Sequence, residues 1–221
     1  MATTIKIMPT TTTLILMARP NQDSQGFWIS IVMIASAAYA TLRYNICNGV
    51  PWADWPTWTL NKAFGVASLA LLLVAAIRRT SDSEASCSKV FSFSVGLAAV
   101  HVVLSLVLMS PVYYPKFFVD EKLTLAAGGS MILGCVAAVI MARRSSSGVL
   151  KSMGEASRGV WMVVLVALLV ALHALLQGFS GWFNLEKWAG GLPPITLISF
   201  ILGVSTLVVV VWGARSHSSS S

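Results

Sequence analysis

Charge is scarce in this sequence. Only 10% of its 221 residues are Asp, Glu, Lys or Arg, where a soluble domain carries roughly a quarter. That shortage, beside a 56% hydrophobic content, excludes a soluble enzyme and equally a disordered or fibrous chain. Cysteine is scarce too. Cys47, Cys87 and Cys135 are scattered and odd in number, which argues against a disulfide scaffold. There is no dinucleotide or P-loop glycine motif, no CxxC and no HExxH. Any chemistry must be done inside a membrane bundle by very few polar groups.

What is present comes in apolar blocks of about 20 residues, the length that crosses a ~30 Å hydrocarbon core. Six such blocks run 27–44, 61–77, 90–110, 123–142, 159–178 and 193–213, none with an Asp, Glu, Lys or Arg deep inside. Only helices and closed barrels satisfy backbone hydrogen bonds in lipid. Barrel strands alternate polar with apolar residues and these blocks do not. The expected fold is therefore an all-α, polytopic six-helix bundle over residues 27–213. Short tails are expected at 1–26 and 214–221, and no internal repeat is visible.

The connectors fit this reading. Arg78-Arg79 and Arg143-Arg144 end the second and fourth blocks, and Trp52, Trp55, Trp58, Trp182 and Trp188 suit the headgroup belt. Ten lysines and arginines fall on the side of the two termini and five on the other. The positive-inside rule then puts both termini in the cytoplasm, with a plasma or inner membrane as the expected location. The net charge of +7 suits anionic lipid heads. Nucleic acid is a poor partner, because the basic residues flank helices and form no separate patch.

Hydroxyls, amides and sulfur aside, the polar side chains deep inside the blocks come down to His101 and His173. An ionisable residue within a span points to function, although one such histidine can equally just bond a neighbouring helix. Their depths match. His101 lies 12 residues beyond Lys89, about 18 Å at the helical rise. His173 lies 15 residues beyond Arg158, about 22 Å by the same rise. Tilt absorbs the ~4 Å difference. Two imidazoles at one level on two helices can clamp a flat metal macrocycle, and neutral imidazole is a standard axial ligand of heme iron.

The neighbours suit such a clamp. Ala98, Ser105 and Ser94 share the face of His101 and leave room for a porphyrin, or else serve close helix packing. Leu169, Val170, Leu176 and Gln177 share the face of His173. The aliphatics would pack a macrocycle edge, and Gln177 would bond a ring nitrogen or a propionate. Lys116, Lys122 and Lys187 are candidate propionate partners, with interfacial anchoring the plainer role for each. Zinc fits less well, since it usually takes four ligands and Cys135 is the lone third donor inside the spans.

These residues resemble a known family. The runs LNKAFGVASLALLL (60–73), AAVHVVLSLVLMSPVYYPKFF (98–118), LVALHALLQGFSGWF (169–183) and GGLPPITLISF (190–200) resemble the ferric-reductase-like transmembrane domain. That six-helix heme-binding bundle is shared by the membrane subunit of the bacterial methionine-sulfoxide reductase system, STEAP proteins and NADPH oxidases. The resemblance implies heme b on histidines of the third and fifth helices, here His101 and His173. It also implies an inner heme on a second histidine of each helix. Those positions hold Cys87 or Ser88 and Val160 or Gly159, so one outer heme is the expected load.

The implied activity is membrane electron transfer through that heme to an outer-side acceptor, as an oxidoreductase or its electron-transfer subunit. The chain holds no flavin or nicotinamide motif, so the donor would be a separate flavoprotein or a membrane quinone. The competing reading is a heme-free structural or assembly subunit that kept the scaffold. A transporter ranks third, for want of buried charges along a pathway.

Overall fold

The computed structural model describes residues 22–81, 88–146 and 156–218. Six helices carry the chain back and forth. They are α1 (Gln22–Thr41), α2 (Leu60–Ser81), α3 (Ser88–Val107), α4 (Leu125–Ser146), α5 (Ala156–Trp182) and α6 (Ile195–Ser218). All six belong to segments long and apolar enough to cross a membrane. Their outward faces carry exposed aliphatics such as Val103, Ile132, Val139, Leu168 and Ile201, the side chains lipid solvates best. The protein is an all-α, multi-pass integral membrane protein.

The ends differ from the expected spans in both directions: α3 stops at Val107 rather than Ser110 and α4 begins at Leu125 rather than Leu123, while the ends at the terminus side run longer. α1 begins at Gln22 rather than Phe27, and α6 runs to Ser218 rather than Gly213. Apolar runs report only the lipid-covered stretch of a helix, and polar turns extend beyond it. Most of the expected N-terminal tail, residues 1–21, lies outside the described residues, as do Cys87 and the 147–155 connection. The first connection is helical as well. A π-helical turn (Leu42–Ile46), a 3-10 turn (Trp52–Asp54) and a second π-helical turn (Trp55–Thr59) lead into α2.

Helices α2 to α6 close a ring, with α2 packed on both α3 and α6, and α1 leans on α2 from outside. Lipid gives helices no hydrophobic reason to associate, so small residues and polar ties must do it. Along α5 the buried small residues Ala167, Ala171, Ala174 and Gly178 recur at helical spacing. Gly203 of α6 faces them, and a Cβ there would meet Ala167 O at 3.3 Å. Between α2 and α3, Ser68 Oγ donates to Ser94 O at 2.9 Å and Ser94 Oγ donates back to Ser68 O at 2.7 Å.

The two ends of the ring are packed differently. The end that carries the termini is filled by Ala67, Leu71, Leu72, Val90, Phe91 and Val166 among others. A void of only about 10 Å³ remains there, beside Leu72, Phe91, Ile140 and Met162. The other end, which carries the first, third and fifth connections, is capped by Tyr114 and Phe117, stacked at 5.2 Å, over Leu108 and Ala127.

Three features of these connections were not legible in sequence, or differ from expectation. A two-residue hairpin joins β1 (Phe118–Val119) to β2 (Lys122–Leu123) through Asp120 and Glu121, both at positive φ. That geometry usually draws Asn or Gly. Trp182 is buried, not a headgroup anchor, and its Nε1 donates to Thr196 Oγ1 at 3.0 Å. Arg43 is buried too, and its guanidinium donates to Leu192 O, tying α1 to the entrance of α6. The expected turn ahead of the sixth span is present, with Gly190 and Gly191 at positive φ and two prolines before Ile195.

The tightest seam gives a first expected result. A Cβ on Gly178 would collide with Thr196 Oγ1 and Trp182 Nε1. Gly178→Ala should destabilise the α5–α6 pair by about 1–3 kcal/mol, the usual cost of overpacking. Thermal unfolding in detergent reads this as a lowered midpoint, whereas Gly181→Ala, with nothing within 4 Å, should leave it unchanged.

Candidate functional site

A cavity lies inside the ring toward the Tyr114 end, and all five ring helices line it. The interior space open to the centre of a water-sized sphere is about 130 Å³. Both His101 and His173 line it, from α3 and α5. These two helices are not neighbours in the ring, so the imidazoles approach from different sides.

Each imidazole is held in the same way. His101 Nδ1 lies 2.9 Å from the Asn61 carbonyl oxygen and 2.8 Å from Asn61 Oδ1. His173 Nδ1 lies 2.7 Å from the Ser130 carbonyl oxygen. A carbonyl oxygen only accepts, so Nδ1 carries the proton and donates in both cases. That tautomer leaves the Nε2 lone pair of each ring uncommitted, the state a metal-binding histidine needs. Among the described residues no hydrogen bond is made at His101 Nε2. The amide of Gln177 stands 3.5 Å from His173 Nε2, at the long limit for a hydrogen bond.

A glycine one turn further along lets each ring in. A Cβ on Gly65 would meet His101 Cε1 at 3.0 Å and Nδ1 at 3.1 Å. A Cβ on Gly134 would meet His173 Nδ1 at 3.0 Å and Cε1 at 3.1 Å. The α2–α3 and α4–α5 hairpins therefore repeat one device. A polar residue offers its carbonyl, a glycine four residues later opens the helix surface, and a histidine on the next helix occupies the space. Asn61 and His101 are 40 residues apart, and Ser130 and His173 are 43 apart. A repeat thus exists, though residue identity hides it.

The expected site residues fare unequally. Ala98 lines the cavity. Ser105 lines it as well, but its Oγ accepts from Asn61 Nδ2 at 3.0 Å. It fixes which way the Asn61 amide points, so Oδ1 is the atom turned to His101. Ser94 leaves no room for a ligand, because it is fully buried in its exchange with Ser68. Gln177 and Val170 line the cavity, whereas Leu176 is exposed on the outer surface.

Sequence reasoning missed Asn61, Gly65, Ser130, Gly134 and Lys62. The last lines the cavity, and its Nζ donates to Tyr114 Oη at 3.0 Å. Burial holds the Tyr114 phenol above its ordinary pKa, so it stays neutral beside the amine. None of the expected propionate partners Lys116, Lys122 and Lys187 lines the cavity, though Phe117 beside Lys116 does.

The donor set narrows the chemistry. Among the described residues no three or more His, Cys, Asp or Glu gather into a group, so a zinc-type cage is not built there. Two imidazoles protonated at Nδ1, with Nε2 met only by the long Gln177 contact at His173, stand on separate helices around an apolar cavity and suit a planar metal macrocycle that needs only two axial ligands. Ser88 and Val160, at the positions of a second pair, begin α3 and sit early in α5. The bundle near them is the filled end of the ring. No family model matches the chain, and no curated protein matches it.

Proposed function

We propose that this chain is a membrane b-type cytochrome that binds one heme b between His101 and His173 and passes single electrons to an acceptor on the outer side. The observation that carries the reading is the repeated Nδ1 anchor, with both rings lining one cavity. When bound, the heme supplies an iron that changes by one electron between its ferric and ferrous states.

The chain's own residues do the rest. The Asn61 and Ser130 carbonyls fix ring orientation and tautomer, and they raise the basicity of each ligand nitrogen. Ala98, Val102, Val170 and Ala174 supply an apolar, water-poor wall, which tunes a bound iron's potential. The filled aliphatic end of the ring favours one heme over two. With the termini in the cytoplasm, as the lysine and arginine balance favours, the site lies in the outer half of the bilayer. Electrons would reach it from a separate flavoprotein or a membrane quinone.

The test is a reduced-minus-oxidised absorption spectrum of the full chain, purified in detergent with heme supplied. The reading requires a low-spin, six-coordinate b-type spectrum near one heme per chain. A colourless protein would overturn it in favour of a structural role. Asn61→Ala should weaken hemin binding about tenfold, the lower part of the range for lost supporting partners, because the backbone carbonyl at position 61 remains.

A further inference from the structure

We propose, resting on the heme reading, that Lys62 and Lys116 form an anion site at the cavity mouth that takes the two carboxylates of the porphyrin. Lys62 stands in the first turn of α2, one residue after Asn61 and three before Gly65, the two residues of α2 that cradle His101. Its Nζ lies 4.2 Å from the Tyr114 ring centroid and 5.2 Å from that of Trp58. Lys116 approaches from the third connection. Its Nζ donates to the Gln177 carbonyl oxygen at 3.3 Å, one helical turn beyond His173. Gln177 and Phe117, the residue next to Lys116, both line the cavity, so this amine stands just outside its wall.

The charges at this mouth are unbalanced. Among the described residues neither lysine has a carboxylate within ion-pair distance, and the partners they do have are neutral: a phenol, three aromatic faces and a carbonyl. Aromatic faces and neutral oxygens offset part of the cost of withdrawing an ammonium from water, but they bring no counter-charge. A ligand edge bearing two carboxylates would supply the missing counter-charge to each through charge-assisted hydrogen bonds. The placement also orders the ligand. One amine stands beside the His101 cradle and the other bonds the His173 helix from the third connection, so a macrocycle gripped by both imidazoles would turn its carboxylate edge toward the Tyr114 cap.

The experiment titrates the detergent-purified full chain with hemin and with hemin dimethyl ester, whose carboxylates carry no charge. Wild type should bind hemin more tightly than the ester. Lys62→Met should weaken hemin binding roughly tenfold to a hundredfold, the effect of losing a charge-assisted hydrogen bond, and leave ester binding unchanged. Lys116→Met should act in the same direction but less, because that side chain is exposed. Lys62→Arg should restore most of the loss, and Lys122→Met and Lys187→Met should change neither ligand.

Low-spin absorption at saturating hemin should persist in every lysine variant. Equal weakening of hemin and ester by Lys62→Met, or equal affinity of wild type for both, overturns the anion site and leaves the axial ligands standing. Failure of wild type to bind either porphyrin overturns the heme reading and this site with it.

Discussion

His101→Ala and His173→Ala should each abolish the low-spin heme spectrum. Each variant removes one of two axial nitrogens, so any heme still held would become five-coordinate and high-spin. Loss of a partner that merely supports a ligand costs 10–100-fold in metal affinity. Loss of the ligand itself should therefore cost at least ~100-fold by the same scale, and the double variant should be colourless. The bundle should survive, because neither ring belongs to the core that fills the other end of the ring. Far-ultraviolet circular dichroism should be unchanged while the Soret band collapses. His217→Ala should leave the spectrum as it is. Retention of a normal low-spin spectrum by either single variant would remove that histidine from the ligand set.

Gly65→Val and Gly134→Val should nearly match that loss while leaving both histidines in place. A single Cβ at either glycine already comes within 3.0 Å of an imidazole atom, and valine adds two methyl groups beyond it. The helix backbone cannot retreat, and each ring is pinned at Nδ1. The ring must swing away, which breaks the bond to the carbonyl and turns Nε2 out of line. Overpacking of this kind costs about 1–3 kcal/mol. Absorption titration with hemin should show affinity lowered roughly tenfold to a hundredfold. Gly96→Val is the matched control, because nothing lies within 4 Å of a Cβ there. If the two cradle variants bind hemin like Gly96→Val, the rings are not held as described.

The sequence disclosed the fold through its largest signal and the site through its smallest. Six apolar blocks bounded by Arg78-Arg79, Arg143-Arg144 and the Gly190–Pro194 turn were enough to count the helices. Scarcity did the second part: with almost nothing ionisable in the blocks, His101 and His173 stood out, and arithmetic on the helical rise brought them to one level. The structure sets both on one cavity.

What stayed hidden was relational. A glycine in a membrane helix reads as a packing residue, and Gly65 acquires its role only when His101 is laid across it. Ser94 and Ser105 looked alike, small and on the same face as His101. One is consumed by Ser68 and the other steers Asn61. Lys62 passed for a flanking charge, because one-dimensional reading places it at the edge of a span. Folding turns that edge into the mouth of the cavity. The Asp120–Glu121 hairpin escaped because neither residue carries the usual turn signature.

The central claim is that two imidazole nitrogens, one from α3 and one from α5, bind the same iron. Electron–nuclear spin resonance on the ferric, heme-loaded full chain carrying [15N]histidine tests it most directly. The account requires a low-spin ferric ion coupled to two histidine nitrogens, with one lost in His101→Ala and the other in His173→Ala. Heme-loaded wild type whose iron couples to no histidine nitrogen, or to the same single nitrogen in both variants, would contradict it.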